Sequence, residues 1–395
     1  MARYLILIFT SLLLILGCTQ EEAVGDKIST YTEPLVTFLA AANEPTRGKA
    51  MSGDLDVSSK FRVYATKQRR EGDHVYPNAD ETIWVNGDVV SYQSIELNPQ
   101  YHVWVWKTDV DYHWPQDLYF VNFYAVHPAS APVISDILTT KDIEFDGTNN
   151  YITGDDDLML AKIEKTRRYD SNYTSVTPLL GENCTVNLTF HHMLSQIMFY
   201  GRLSNLFDSY GWTVEVGGIT IHNVNSAATA QFTNTGFSIT AATTSVPRNY
   251  TLAMNVNRQP ITTTNVAQDA AGNDIPLTSP TDVTMLVPQT LAAWVPASST
   301  GGTTIAANPT SKSYLEIAIR IKDRNNLYVM GTADSYHTIY APFSTSWQTA
   351  KRHNYYLTFG GGYDAEGNSV LQPLNIEAAI TPWESEEVNG IVKRK

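Results

Sequence analysis

The stretch "EPLVTFLAAANEPTRGKA", Glu33 to Ala50, holds a short apolar run, a polar turn and an arginine followed by glycine. The run "LVTFLA" carries Leu35, Val36 and Phe38 and reads as a strand; Asn43-Glu44-Pro45 reads as a turn. The Arg47–Gly48 bond is one that a trypsin-like protease cuts, and the polar stretch before it suits protease access. This segment lies between the start of the chain and the first run of regular strands.

The chain begins MARYLILIFTSLLLILGC. Arg3 supplies a positive start, and Leu5 to Leu16 is apolar except for Thr10 and Ser11. A membrane-spanning helix needs roughly 20 apolar residues, so this shorter core reads as a signal peptide. Leu16-Gly17-Cys18 resembles the lipobox of bacterial lipoproteins, which implies cleavage before Cys18 and a lipid on its thiol. More than one acyl chain anchors stably in a membrane. Glu21 and Glu22, close behind the cysteine, resemble the surface-export signal of Bacteroidetes lipoproteins.

The 395 residues carry a net charge of −13, which speaks against nucleic acid as a partner, where a basic face is expected. There are 2 cysteines; with Cys18 lipidated, Cys184 has no partner within the chain and no disulfide staples the fold. Cys184 alternates with Val186 and Leu188 and reads as a small core residue.

Helical periodicity is nearly absent. Alternating runs such as Phe61-Arg-Val-Tyr-Ala, Tyr101-His-Val-Trp-Val-Trp, Trp212-Thr-Val-Glu-Val and Tyr314-Leu-Glu-Ile-Ala-Ile-Arg-Ile recur between turn-forming residues. This pattern predicts an all-β chain built of antiparallel sandwiches. "YDSNYTSVTPLLGEN" is turn-rich and precedes a strong strand, "CTVNLTFHHMLSQIMFYGRL", which places a domain boundary near residue 182. The expected organisation is a signal peptide over 1–17, a propeptide with its strand over 18–47, a first sandwich over 48–182, a second over 183–385 and a tail over 386–395. "TTTNVAQDAAGNDIPLTSPTD", Thr262 to Asp282, reads as a long polar loop.

Signatures of catalysis are missing. There is no Gly-x-Ser-x-Gly, His-Glu-x-x-His, P-loop or Rossmann glycine pattern, so the chain is read as a protein without catalytic residues, cofactor or metal. His191 and His192 are neighbours on a strand and point to opposite faces, which keeps them from sharing a metal. Asp155-Asp156-Asp157 lacks the spaced oxygens and turn glycine of a calcium loop and reads as a solvated turn. Trp104, Trp106, Tyr112, Trp114, Tyr119, Phe120, Phe123 and Tyr124 crowd into one region. Their alternation reads as a filled sandwich interior; the rival reading is an exposed sugar-stacking platform.

Further residues carry a family resemblance. "DYHWPQDLYFVNFYAVHP" (Asp111 to Pro128), "LTFHHMLSQIMF" (Leu188 to Phe199), "TMLVPQTL" (Thr284 to Leu291), "WQTAKRHNYYLTF" (Trp347 to Phe359) and "ITPWE" (Ile380 to Glu384) follow the lipobox and the Thr46-Arg47-Gly48 site in order. Together they resemble the fimbrillins of the Bacteroidetes, the lipoprotein-derived pilins called type V. Gln196 and His353 stand where that family commonly has other residues.

The resemblance implies two tandem transthyretin-like, Greek-key β-sandwiches and a role as a fimbrial subunit in cell adhesion, as a stalk pilin. It further implies an outer-membrane lipoprotein precursor lipidated at Cys18, with acyl chains such as palmitate, and cut by an arginine-specific surface protease between Arg47 and Gly48. The strand with Leu35, Val36 and Phe38 then becomes a temporary occupant of a groove that another fimbrillin subunit fills by strand exchange in the cell-surface fimbrium. An open sheet edge is a template for such pairing, and an added strand brings main-chain hydrogen bonds and alternate side chains. The carboxyl end offers donor-strand candidates: Leu374, Ile376 and Ile380 on one face, and Val388 and Ile391 beyond Pro382. Arg69-Arg70 and Arg167-Arg168 are further cut sites by sequence, but fall inside the expected first domain. Within the family a tip or anchor subunit is the alternative; outside it, a glycan-binding surface lipoprotein.

Overall fold

Strand β3 (Phe61–Glu71) shows how alternation sets the architecture. Phe61, Val63 and Ala65 point into one core, while Tyr64 between them points into a second. Both faces of this strand are therefore covered over its first half, which explains why burial is nearly continuous from Phe61 to Thr66. The computed structural model describes residues 35–42, 53–76, 80–98, 101–115, 119–131, 137, 141–145, 151–166, 185–242, 247–372 and 374–382.

The first sheet runs β10 (Thr185–His192), β9 (Met159–Thr166), β7 (Tyr119–His127), β3, β5 (Thr82–Asn98), β6 (Tyr101–Thr108), β1 (Thr37–Ala42) and β2 (Gly53–Asp54), with β4 (His74–Val75) paired to β3. The end strand β10 also pairs with β1, so the sheet closes into a ring. Its interior holds Val36, Phe38, Phe61, Trp106, Trp114, Phe123 and Phe190.

The second half is a sandwich of two sheets. One is ordered β16 (Thr284–Leu286), β11 (Ser195–Leu203), β22 (Lys351–Phe359), β25 (Asn375–Pro382). The other is ordered β15 (Arg248–Thr251), β12 (Thr213–Val224), β18 (Lys312–Lys322), β20 (His337–Pro342), β23 (Gly361–Tyr363), β24 (Ser369–Leu371). The short strands β17 (Thr290–Ala293), β19 (Tyr328–Met330) and β21 (Thr345–Ser346) attach to it. Inward residues of the two sheets, among them Ile197 and Phe199 on β11, Leu357 and Phe359 on β22 and Leu315, Ile317 and Ile319 on β18, form one core. The helix α1 (Asn205–Ser209) starts at Ser204, whose side chain accepts a hydrogen bond from the Phe207 amide. Ile261 and Leu277, at either end of the long polar segment, are buried in the same core and pin it down.

A third sheet, β14 (Gly236–Ala241), β13 (Ala228–Thr233) and β8 (Asp142–Phe145), takes strands from both halves. It covers Tyr64, Tyr124, Val126 and Leu160 on the outside of the ring. The sequence reading begins a second domain at 183, yet β10 is hydrogen-bonded into the first sheet. The link from β10 to β11 is only Met193-Leu194, and both are buried in this third core.

Two sequence-based readings need correction. Asp157 is not part of a solvated turn: its carboxylate lies 2.8 Å from the His192 imidazole, and both side chains are buried. Trp104 shares a strand face with Trp106 but is 58% exposed, while Trp106 is buried. The β5–β6 hairpin overhangs the ring, so its core-facing side loses its cover toward the tip; there Trp104 stacks on Tyr92 with centroids 5.6 Å apart.

Candidate functional site

Strand β1 occupies a slot between β10 and β6. Against β10 it forms a parallel ladder of six residue pairs, Thr37↔Thr185 through Ala42↔Phe190. Against β6 the described pairing is the single antiparallel pair Phe38↔Trp106. The other ring pairings are antiparallel and several are longer, such as β5 with β6 and β3 with β7. Parallel pairing is slightly weaker per residue, and β1 is held by a parallel ladder on one side and a single described pair with β6 on the other.

The slot's floor is apolar. Val36, Phe38 and Ala40 alternate inward and are 3%, 3% and 4% exposed, whereas Leu39 faces out. The Phe38 ring stands edge-on to Phe61 at 6.1 Å and to Phe123 at 5.9 Å, the favoured geometry for aromatic pairs. Burying side chains of this kind contributes roughly 1.5–3 kcal/mol each, an upper range because the unfolded chain already buries some surface.

Polar contacts fix the register. The Val36 amide donates to the Tyr112 carbonyl at 2.8 Å, and the Leu55 amide donates to the Ala40 carbonyl at 3.0 Å. Leu35 bridges His113. Tyr112 is held in turn by its hydroxyl on the Asp88 carboxylate, and that bond raises its pKa to about 12. Near the end of the slot, burial pushes the His127 imidazole below its usual range, and its Nδ1 lies 3.2 Å from the Asp157 carbonyl.

The architecture gathers Leu35, Val36 and Phe38 in this slot. Cys18, Arg47, Gly48, Val388 and Ile391, and Cys184 with them, lie outside the described residues. Leu374, Ile376 and Ile380 sit elsewhere, on and beside β25, which pairs along its length with β22. Leu374 and Ile376 pack on the second core; Ile380, on the same face, is 48% exposed. Most of the aromatic cluster, Trp106, Trp114, Phe120, Phe123 and Tyr124, is buried in the ring or on its covered outer face. His192 is buried and His191 lies against Phe237 on the other side, as alternation requires. Among the described residues no group of three or more His, Cys, Asp or Glu side chains is arranged to hold a metal ion.

A protein-family model described as fimbrillin-like matches residues 47–383. The chain belongs to the fimbrillin-like family. No curated protein sequence matches it. Among solved structures, this fimbrillin-like chain is similar to a fimbrial protein from Bacteroides vulgatus ATCC 8482, at 15% identity and TM-score 0.45 over 89% of this chain and 99% of that one. It is also similar to a candidate cell adhesion protein from Bacteroides uniformis ATCC 8492, at 14% identity and TM-score 0.42 over 88% and 98% of the two chains. A third is the tip fimbrial protein Mfa3 from Porphyromonas gingivalis, with C-terminal truncation, at 11% identity and TM-score 0.30 over 88% and 98%. Strand β1 lies outside the residues matched by the fimbrillin-like family model. Sequence reading located the apolar run but not its partner: nothing in "LVTFLA" points to a parallel ladder with residues 185–190. The one signal was the matching alternation of Val186, Leu188 and Phe190, whose side chains are buried beside it.

Proposed function

We propose that this fimbrillin-like protein is a stalk subunit of cell-surface fimbriae whose first strand is a removable occupant of the β6–β10 slot. In this reading the exported precursor is lipidated at Cys18 and held at the outer membrane, and an arginine-specific protease cuts between Arg47 and Gly48. The cut severs β1 from the body, and a strand from another fimbrillin subunit takes the slot. The tail beyond Pro382, with Val388 and Ile391, is the donor, while Leu374, Ile376 and Ile380 stay with their own sheet. The Met193-Leu194 link marks the boundary between the two halves. A subunit that accepts at one end and donates at the other makes a heterologous contact that propagates into a filament.

The observation that carries the reading is the slot itself. Strand β1, with Val36 just before it, supplies three inward side chains to a ring core whose other strands come from residues beyond 47. Its loss leaves β6 and β10 as open edges over an apolar floor, a site for β-strand addition. The test is amino-terminal sequencing of fibre subunits. Subunits that begin at Gly48, together with an Arg47→Ala protein that stays monomeric and membrane-bound, support it. Fibres whose subunits still begin at Cys18 overturn it.

A further inference from the structure

On the outer face of the second half, far along the chain from the slot, two tyrosines flank a charged row. Arg320 and Lys322 on β18 are two residues apart, so they share a face and stand about 6.6 Å apart along the strand. Both reach Glu215 on β12: Arg320 Nη2 lies 2.9 Å from Oε2 and Lys322 Nζ lies 2.8 Å from Oε1. Each cation also carries a ring. The Arg320 guanidinium is 4.2 Å from the Tyr336 ring centroid, and Lys322 Nζ is 5.1 Å from that of Tyr328. Both tyrosine residues are 39% exposed.

The Tyr336 ring is held in place before any ligand arrives. Its hydroxyl accepts from Arg320 Nη2 at 2.9 Å, and Arg320 Nη1 donates to the Ala333 carbonyl at 2.6 Å. Beneath it lies Gly217, at a bulge in β12. A Cβ there would come within 2.8 Å of three ring atoms, so the ring lies against the strand only because the residue is glycine.

Tyr336 and Glu215 border a cleft of about 240 Å³ with Val256, Arg258 and Gln259 on its other side. Arg258 is pinned by Nε to the Val216 carbonyl at 2.7 Å and by Nη1 to the Asn255 carbonyl at 2.9 Å. Its Nη2 has no hydrogen-bond partner among the described residues. Val256 stands at the rim, 88% exposed. The Glu215 carboxyl is held below its usual range, chiefly by the Lys322 hydrogen bond, and an ionised carboxylate keeps acceptor capacity beyond its two cationic partners.

We propose that this cleft and the tyrosine row beside it form a saccharide-binding site, with Tyr336 stacking on a pyranose and Glu215 and Arg258 taking its hydroxyl groups. A rigid exposed ring next to an acceptor and a free donor matches the two sides of a sugar: an apolar face of C–H groups and an edge of hydroxyls. The second ring, Tyr328, extends the platform to a further sugar residue. The arrangement is separate from the Trp104–Tyr92 stack on the first half.

Saturation-transfer NMR on the full chain tests this with methyl α-D-mannopyranoside, methyl β-D-galactopyranoside and D-glucuronate as probes. At least one should receive saturation on its ring protons. Its affinity should fall by about tenfold or more in Tyr336→Ala and in Val256→Glu, and stay unchanged in Trp104→Ala. Val256 is a rim residue, so its variant decides the matter should Tyr336→Ala melt early. Absence of transfer from all three probes overturns the proposal, as does transfer that survives both substitutions. A change of oligomeric state in Tyr336→Ala without any saccharide signal overturns it in favour of a protein interface.

Discussion

Thr37 and Thr185, 148 residues apart in sequence, share a 2.8 Å hydrogen bond between their buried side-chain hydroxyls. This contact heads the β1–β10 ladder and ties the first strand to the last strand of its ring. Replacing one partner leaves the other hydroxyl buried and unsatisfied, at a cost of about 1–3 kcal/mol. Thr37→Val and Thr185→Val should each destabilise by that amount in denaturant unfolding. The double variant should lose markedly less than the sum, since neither hydroxyl then lacks a partner.

Phe38→Ala should cost about 3–5 kcal/mol, because it empties a site walled by Phe61 and Phe123. Leu39→Ala, on the outer side of the same strand, should cost far less. Equal effects in a chemical-denaturation series would contradict the inward-outward assignment of β1.

Departure of β1 should be visible in fluorescence. Phe38 touches Phe61, Phe61 touches Trp106 at 5.8 Å, and Trp106 touches Tyr92 at 5.4 Å. Cleavage after Arg47 followed by mild denaturant should expose Trp106 and move its emission to the red. A Trp106→Phe protein should lose most of that shift, and unchanged emission in the cleaved wild type would show that β1 stays seated.

Buried titrating groups set the acid limit. His353 is fully buried, its Nε2 accepts from the Gln348 amide at 3.1 Å, and burial lowers its pKa to about 4. The folded form therefore keeps the ring neutral while the unfolded chain protonates it below its ordinary value near 6.5. Its contribution is fully present above that pH and drains away as pH falls from about 6.5 toward 4. Melting temperature should drop over that window, and His353→Leu should flatten the profile. At the Asp157–His192 pair, Asp157→Ala removes a buried contact and should cost about 1–3 kcal/mol.

Deletion of residues 383–395 should leave folding intact, because β25 ends at Pro382 and its pairing with β22 runs from Asn375 to that residue. Under the strand-exchange proposal the truncated subunit should fail to extend fibres. Normal fibres seen by electron microscopy would remove the tail as donor.

The strands themselves were legible in the sequence because burial on one face imposes alternation, as at Phe61-Val63-Ala65 and Leu315-Ile317-Ile319. Two things were not. Alternation fixes which face of a strand is buried but not how far its cover extends, so Trp104 and Ile380, though each lies on a core-facing side, came out exposed. Pairing partners far apart carry no local mark either. The His192 that meets Asp157 and the β10 ladder that receives β1 are both set by how the ring closes, and the third core draws Met193 and Leu194 between the halves for the same reason.

The β1–β10 ladder also orders events in time. The ring has no closing partner for Phe38 and Ala40 until Val186 and Leu188 are available, and a loop of this length is slow to close relative to local hairpins such as β5–β6. As the chain emerges amino terminus first, β1 therefore has its contacts with β2 and β6 within reach but waits for its β10 ladder beside a half-built barrel. Any apolar strand of matching pattern that arrives in that interval competes with it for the same seat.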